Sequence, residues 1–318
     1  MLYALAPMIG RRPPAPAWFE EAVAMPFQRP ACEWEGAALE LLCWGEVGRP
    51  GLLLLSGNNA HAHWWSPIAA RLSETYRVAA LSWSGMGMSG WRTSYSIANY
   101  AQEAMAAARA ADLFAGGPPV LVAHSFGGGP ALEAGCAHGE VLAGAIILDS
   151  LLAPDGGKPV LPVRNTHRIY ATQAEALARF RLAPPQTCDN LFYMDWVARH
   201  ALCEVEEDGT AGWRWCIDPS LWEKLHWHDK WHALTHARCP LAIIRGEESC
   251  LVTGEQFEIV QAHTPAETLF ETIPGAGHHV MLDQPLAVID LIDRMATQLR
   301  GLTVGKSAPP GNNDGTIG

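Results

Sequence analysis

Ser125 lies between an apolar run, Val120 to His124, and a glycine-rich run, Gly127 to Gly129. A strand that ends where a helix opens forces a tight turn, and a serine at such a turn lifts its hydroxyl clear of the sheet. The two backbones nearly touch there, so the positions two residues to either side must be small. They are Ala123 and Gly127. The chemistry that suits such a serine is attack on a carbonyl carbon, with the helix N-terminus beneath it favouring the oxyanion that forms.

A serine hydroxyl is a weak nucleophile until a base removes its proton. The segment Pro274 to Pro285 supplies a base, because Gly275 and Gly277 let the loop bend an imidazole toward Ser125. His278 follows Gly277 directly and is chosen over His279. A carboxylate must then fix the imidazole tautomer. Two loops offer one: Asp149, at the end of the run Ala143 to Asp149, and Glu247 or Glu248, after the run Pro240 to Gly246. In the second loop the position three after the glycine is Ser249, which carries no charge. Asp149 is the expected acid, with Glu248 and Glu247 as alternatives. Two backbone N–H groups must hold the oxyanion. One belongs to Phe126, and Asn58, in the loop Ser56 to Trp65, is expected to supply the other.

The elements that must position these groups are legible as apolar runs alternating with helical patterns. Strands are expected at 38–44, 52–55, 77–82, 120–124, 143–149, 240–246 and 268–274, and helices at 66–74, 97–113, 127–138 and 286–299. Continuous apolar strands separated by helices predict a doubly wound, mostly parallel α/β sheet covered on both faces. Residues 151–235 break the alternation with prolines, among them Pro159 and Pro162, and with six of the chain's 13 tryptophans. That stretch is expected to be a helical cap inserted into a core of residues 31–150 and 236–302. Residues 1–30 are expected to form an irregular arm, and 303–318 a disordered tail. Trp64, Trp83, Tyr193 and Trp196 are the expected cleft wall, suited to an apolar, even aromatic, substrate.

Composition sets further bounds. Apolar residues make up 49% of the 318 and charged residues 17%, which excludes a disordered chain. The net charge of −11 leaves no basic footprint for nucleic acid. No apolar run reaches the ~18 residues of a spanning helix, so no membrane partner is expected. The apolar start precedes Arg11 and Arg12, the reverse of a secretory signal. Eight cysteines are scattered without a C-x-x-C pair, so reduced thiols and a cytoplasmic location are expected.

Together these residues resemble the α/β-hydrolase family over about residues 38 to 300. Ser56-Gly57-Asn58-Asn59 is similar to its His-Gly oxyanion loop, and Ser82 to Ser89 to its second, glycine-rich loop. Ser56 stands where the family usually has His, and Ser82 where it often has Asp. The shifted acid resembles the arrangement in haloalkane dehalogenases and zearalenone-lactone hydrolases. Ser125 argues against dehalogenase and epoxide-hydrolase chemistry, which uses Asp at that position. The resemblance implies hydrolysis of an ester, thioester, lactone or amide through an acyl-enzyme, with no cofactor and no metal. A small apolar ester or lactone is the expected partner, and a homodimer is left open. Hydrolysis of a carbon–carbon bond in a ring-cleavage diketone, or slow-turnover ligand reception on the same fold, are the rival readings.

Two other motifs are read as structural. Gly85 to Gly90 matches G-x-G-x-x-G, but no helix opens at it and no acidic residue follows at the right distance for a dinucleotide. His226, His228, His232 and His236, with Asp229, are spaced for one helix face but lack a clear third ligand, so they are read as solvated or packed.

Overall fold

The computed structural model describes residues 3–152, 168–226 and 230–307. Seven strands form one sheet: β1 (Leu41–Trp44), β2 (Gly51–Leu55), β3 (Arg77–Leu81), β4 (Val120–His124), β5 (Gly144–Leu148), β6 (Leu241–Gly246) and β7 (Leu269–Ile273). Their order is β7-β6-β5-β4-β2-β3-β1, with β1 antiparallel to β3 and the other neighbours parallel. Parallel neighbours need crossovers. Helices α1 (Ser66–Leu72), α2 (Ile97–Ala110), α3 (Gly128–His138), α4 (Gly254–His263) and α5 (Pro285–Ser307) flank the sheet.

The inner strands are mainly apolar because both faces are covered, while the edge strand β7 is half-buried and carries Glu271 and Thr272. Leu52 and Leu54 join a cluster with Ile68 and Ile292, while Leu53 and Leu55 face the opposite way, onto a cluster with Ala104 and Leu132. All four leucines have no exposed surface. The register pairs Leu55 with Ala123, His124 with Leu148, and Leu148 with Ile244. The carboxyl ends of β2, β4, β5 and β6 are therefore level, and the loops that leave them meet at one edge.

The doubly wound sheet stands as expected, but several local readings need correction. The arm is not irregular throughout, since Ala17–Ala24 is a helix. Its Phe19 buries itself against Phe192 and Tyr193, with ring centroids at 4.8 and 5.3 Å. The prolines around it hid an amphipathic stretch whose partner is remote in sequence. The first strand splits, with Ala37–Ala38 pairing to Glu33–Trp34 and only Leu41–Trp44 joining the main sheet. The final helix runs on to Ser307, into the expected tail. The rest of that tail, and Pro159, Pro162, Trp227, His228 and Asp229, lie outside the described residues.

Between β5 and β6 the chain carries helices Gln173–Leu177, Leu191–His200, Leu221–Lys224 and Lys230–His236. It also carries an antiparallel hairpin, Leu202–Glu207 with Thr210–Trp215, which an all-helical reading missed. Only Leu202 and Gly212 of the two strands are buried and the rest are half-buried or exposed, so they show no apolar run. Their signal was the Asp208-Gly209 turn, where both residues have positive φ, 50° and 75°. The hairpin also brings Cys203 and Cys216 together as a disulfide, Cα atoms 5.7 Å apart, which corrects the reading of uniformly reduced thiols. Among the described residues no helix is long and apolar enough to cross a membrane.

Candidate active site

Ser125 has φ +54°, a left-handed conformation that a non-glycine residue adopts only where its surroundings impose it, at a cost of about 1–3 kcal/mol. The surroundings are the close passage of strand and helix. A Cβ on Gly127 would stand 2.7 Å from the Ser56 carbonyl oxygen. A Cβ on Gly57 would meet His124 Nδ1 at 3.0 Å and Ser125 Cβ at 3.1 Å. Both glycines are therefore dictated by space rather than by their own dihedral angles. The Ser125 side chain is half-buried and makes no hydrogen bond among the described residues.

His278 lies on the loop after β7, with 2% of its surface exposed, and its Nδ1 is 2.7 Å from Asp149 Oδ1. Asp149 is completely buried. A buried carboxylate is tolerated only when its lone pairs are met. Here Gly246 N–H donates to Oδ2 at 2.7 Å, and Ser249 Oγ donates to Oδ1 at 2.6 Å. The alternative acids are not brought to the imidazole. Glu247 and Glu248 are exposed, and Glu247 accepts instead from Gly275 N–H at 3.0 Å. The β6 loop thus aims its glutamates outward and its serine inward.

The base loop is anchored from two sides. His124, one residue before Ser125, donates from Nε2 to the His278 carbonyl at 2.8 Å. On the other side Asp283 Oδ2 accepts from Gly277 N–H and from Gln186 Nε2, both at 2.8 Å. Gln186 Oε1 in turn accepts from His279 N–H at 3.0 Å, and Asn190 Nδ2 donates to the Leu282 carbonyl at 2.7 Å. Burial pushes the Asp283 carboxyl up to about 6 against the pull of the Gly277 and Gln186 donors. Sequence reasoning missed His124, Gln186 and Asp283, whose roles depend on contacts between distant segments.

The loop after β2 carries Asn58, whose N–H donates to no group among the described residues and whose buried Oδ1 has no partner. Next to it Asn59 Oδ1 accepts from Trp222 Nε1 at 3.1 Å, and the Trp222 ring meets the Phe126 ring edge-on at 5.6 Å. The serine at 82 is also explained. Its Oγ donates to Glu40 Oε2 at 2.7 Å and accepts from Ala62 N–H at 2.8 Å. At 82 and at 249, then, a serine stands where a carboxylate was expected, and a neighbouring strand supplies the charge through Glu40 and Asp149. Glu40 was readable as a lone acid among Leu39, Leu41 and Leu42.

The expected aromatic wall needs correction. Trp83 and Tyr193 have no exposed surface, and their polar atoms are committed to the Ser56 and Trp64 carbonyls at 2.9 and 2.8 Å. Trp196 donates to the His63 carbonyl at 3.1 Å and packs on His200, away from Ser125. Trp64 alone of the four touches a group beside the base, its ring 5.5 Å from that of His279. Trp83 and Trp196 were read for their apolar surface, but their indole N–H groups decided their places. A cavity of about 430 Å³ opens beside His278, walled by Gln186, Cys188, Asp189, Glu248 and Asp283. It is polar, and Ser125 is not among the residues that line it.

The glycines 85–90 form a turn, with Gly85 and Gly87 at φ +82° and +58°, and the next helix opens only at Ile97. His232 and His236 are exposed, stacked on one another at 4.1 Å.

Comparison with known proteins follows the same geometry. The model of the Alpha/beta hydrolase family matches residues 52–291. Lipase LipV of Mycobacterium tuberculosis is 33% identical over 139 residues, 42% of this chain and 51% of that protein. The chain thus matches about half the length of that curated relative. Among solved structures, a thioesterase domain from the curacin biosynthetic pathway superposes with a TM-score of 0.68 at 21% identity, covering 84% of this chain and 99% of the domain. An esterase from Mycobacterium tuberculosis gives 0.67 at 18% identity, covering 93% and 97%.

Proposed function

The chain belongs to the alpha/beta hydrolase family, and from that we propose that it is a serine hydrolase of small carboxylic esters or lactones. The observation that carries this reading is the buried 2.7 Å contact of His278 with Asp149, at the sheet edge where Ser125 is held in a left-handed turn. Asp149 accepts a hydrogen bond from Nδ1–H, which fixes the tautomer and leaves Nε2 as the basic atom. Nε2 takes the Ser125 proton as the hydroxyl attacks, and returns it to the leaving alcohol. Among the described residues Ser125 makes no hydrogen bond, and in this reading its contact with the imidazole forms as substrate binds. The N–H groups of Asn58 and Phe126 receive the oxyanion. Water activated by the same imidazole then clears the acyl-enzyme.

Residues 168–235 act as the cap in this reading. Gln186 and Asn190 bind it to the base loop, and Trp222 brings an indole over Phe126. Trp222 and Trp64 favour an apolar acyl or aromatic group. The lipase and the esterase among the similar proteins favour an oxygen ester over an amide, and the thioesterase domain keeps a thioester as the alternative. The test is a panel of esters and lactones of graded acyl size, with mass detection of an adduct on Ser125. Steady turnover and an adduct lost in Ser125→Ala support the proposal. Turnover that persists in that variant ends it. A single burst without turnover favours the receptor reading instead.

A further inference from the structure

The base has two histidine neighbours that the reaction does not need. His124, His278 and His279 are at most 5% exposed, and one ring nitrogen from each lies within 4.8 Å of the others. Neither ring nitrogen of His279 has a hydrogen-bond partner. The Pro184 carbonyl lies close enough to raise its basicity, but not in bonding geometry. A buried side chain with both polar atoms unmet calls for an explanation.

The tautomers of the other two follow from their partners. A backbone carbonyl can only accept, so His124 Nε2 carries the proton and its Nδ1 the lone pair. Asp149 likewise holds the proton on His278 Nδ1 and leaves the lone pair on Nε2. Histidines that ligate a metal almost always donate their other N–H to a carbonyl or a carboxylate. His124 and His278 are already oriented in this way, one of each kind.

We infer that His124, His278 and His279 form an inhibitory site for a borderline divalent transition metal, zinc above all, one that captures the base. The inference rests on His278 being that base. The metal would engage His278 Nε2, the lone pair that otherwise takes the Ser125 proton, so binding and turnover exclude each other. No electron changes hands, and the histidines lose no proton because each already presents a lone pair. Zinc held at ~2.0–2.1 Å in tetrahedral geometry sets its ligands about 3.3 Å apart. One ring nitrogen of each residue lies within 4.8 Å of the others, wider than that spacing, so the rings must shift and turn to bring their lone pairs onto one ion. The site therefore binds less tightly than a preformed structural zinc site, and a chelator reverses it.

The test uses the full chain and zinc chloride. Calorimetry on the Ser125→Ala variant is expected to show one zinc site, weakened about tenfold or more by adding His279→Phe or His279→Gln. With active protein, zinc is expected to inhibit ester turnover and EDTA to restore it. His279→Phe is expected to keep the basal rate while needing about tenfold more zinc for the same inhibition. Two substitutions at 279, each checked by circular dichroism, guard against a folding defect. Unchanged zinc binding in both His279 variants overturns the proposal. So does loss of binding in a His232→Ala, His236→Ala double variant, which would place the ion on the exposed stacked pair. A chain that turns over no ester defeats the hydrolase reading, while calorimetry still decides the metal site.

Discussion

Ser249 Oγ donates a 2.6 Å hydrogen bond to Asp149 Oδ1, the same oxygen that meets His278 Nδ1 at 2.7 Å. The serine at the family's usual acid position thus supports Asp149, the proposed acid, one strand over. Asp149→Asn is expected to lower kcat by about 10⁴-fold by destroying the tautomer preference. Ser249→Ala removes one charge-assisted bond and is expected to cost about tenfold. Asp149→Asn combined with Ser249→Asp returns a carboxylate to the neighbouring strand and is expected to recover at least about tenfold over Asp149→Asn. Steady-state kinetics on one chromogenic ester decide all three. If Glu247→Gln or Glu248→Gln matches the loss in Asp149→Asn, the acid assignment fails.

Gly127→Ala is expected to destabilise the fold by about 1–3 kcal/mol, since its Cβ would fall 2.7 Å from the Ser56 carbonyl oxygen and must push strand from helix. Urea unfolding measures this. An unchanged midpoint would show that the elbow is looser than its geometry.

Two tryptophans should separate stability from selectivity. Trp83 is fully buried, and Trp83→Ala is expected to cost about 3–5 kcal/mol. Trp222 covers Phe126 from the inserted segment, and Trp222→Ala is expected to change the acyl-size preference in kcat/KM with a smaller effect on the unfolding midpoint. The reverse pattern would remove Trp222 from the proposed cleft.

Stability is expected to fall as the medium is acidified from pH 7 to 5. Burial lowers His61 to about 4, His63 to about 2 and His124 to about 3, and His279 also lies far below its ordinary value. An unfolded histidine titrates near 6.5. Below that pH the unfolded chain binds protons that the folded chain refuses, so the stability present above about 6.5 is lost on acidification, at about 1.4 kcal/mol per pH unit for each histidine. Asp283, raised to about 6, and Glu103, also raised, oppose this by taking protons in the folded state. Four histidines against two acids leave a net loss. Urea midpoints that stay flat over this range would contradict it.

The strand-to-helix turn at Ser125 and the loop that carries His278 were legible because each is local: small residues flank Ser125, and glycines precede His278. The sheet was legible because its inner strands are apolar runs buried on both faces, and the half-buried edge strand Leu269–Ile273 still keeps three apolar residues of five. The acid was legible only as a choice, since a strand-end Asp and a loop Glu look alike until the register levels β5 with β6. The aromatic wall failed because apolarity does not say which side of a helix faces the cleft. Trp83 and Tyr193 were claimed by carbonyls at Ser56 and Trp64, sites remote in sequence that no periodicity reveals. The hairpin was missed because half its residues face water, although Asp208-Gly209 marked it.

Gln186 spans the inserted segment and the base loop with one amide, receiving His279 N–H and donating to Asp283. Roof and imidazole are thereby tethered, and the tether lies outside the sheet that gives the molecule its bulk. A protease nick among residues 184–190, or gentle warming that frays them, should silence turnover while the seven strands remain intact, so loss of catalysis would precede melting and warn of it.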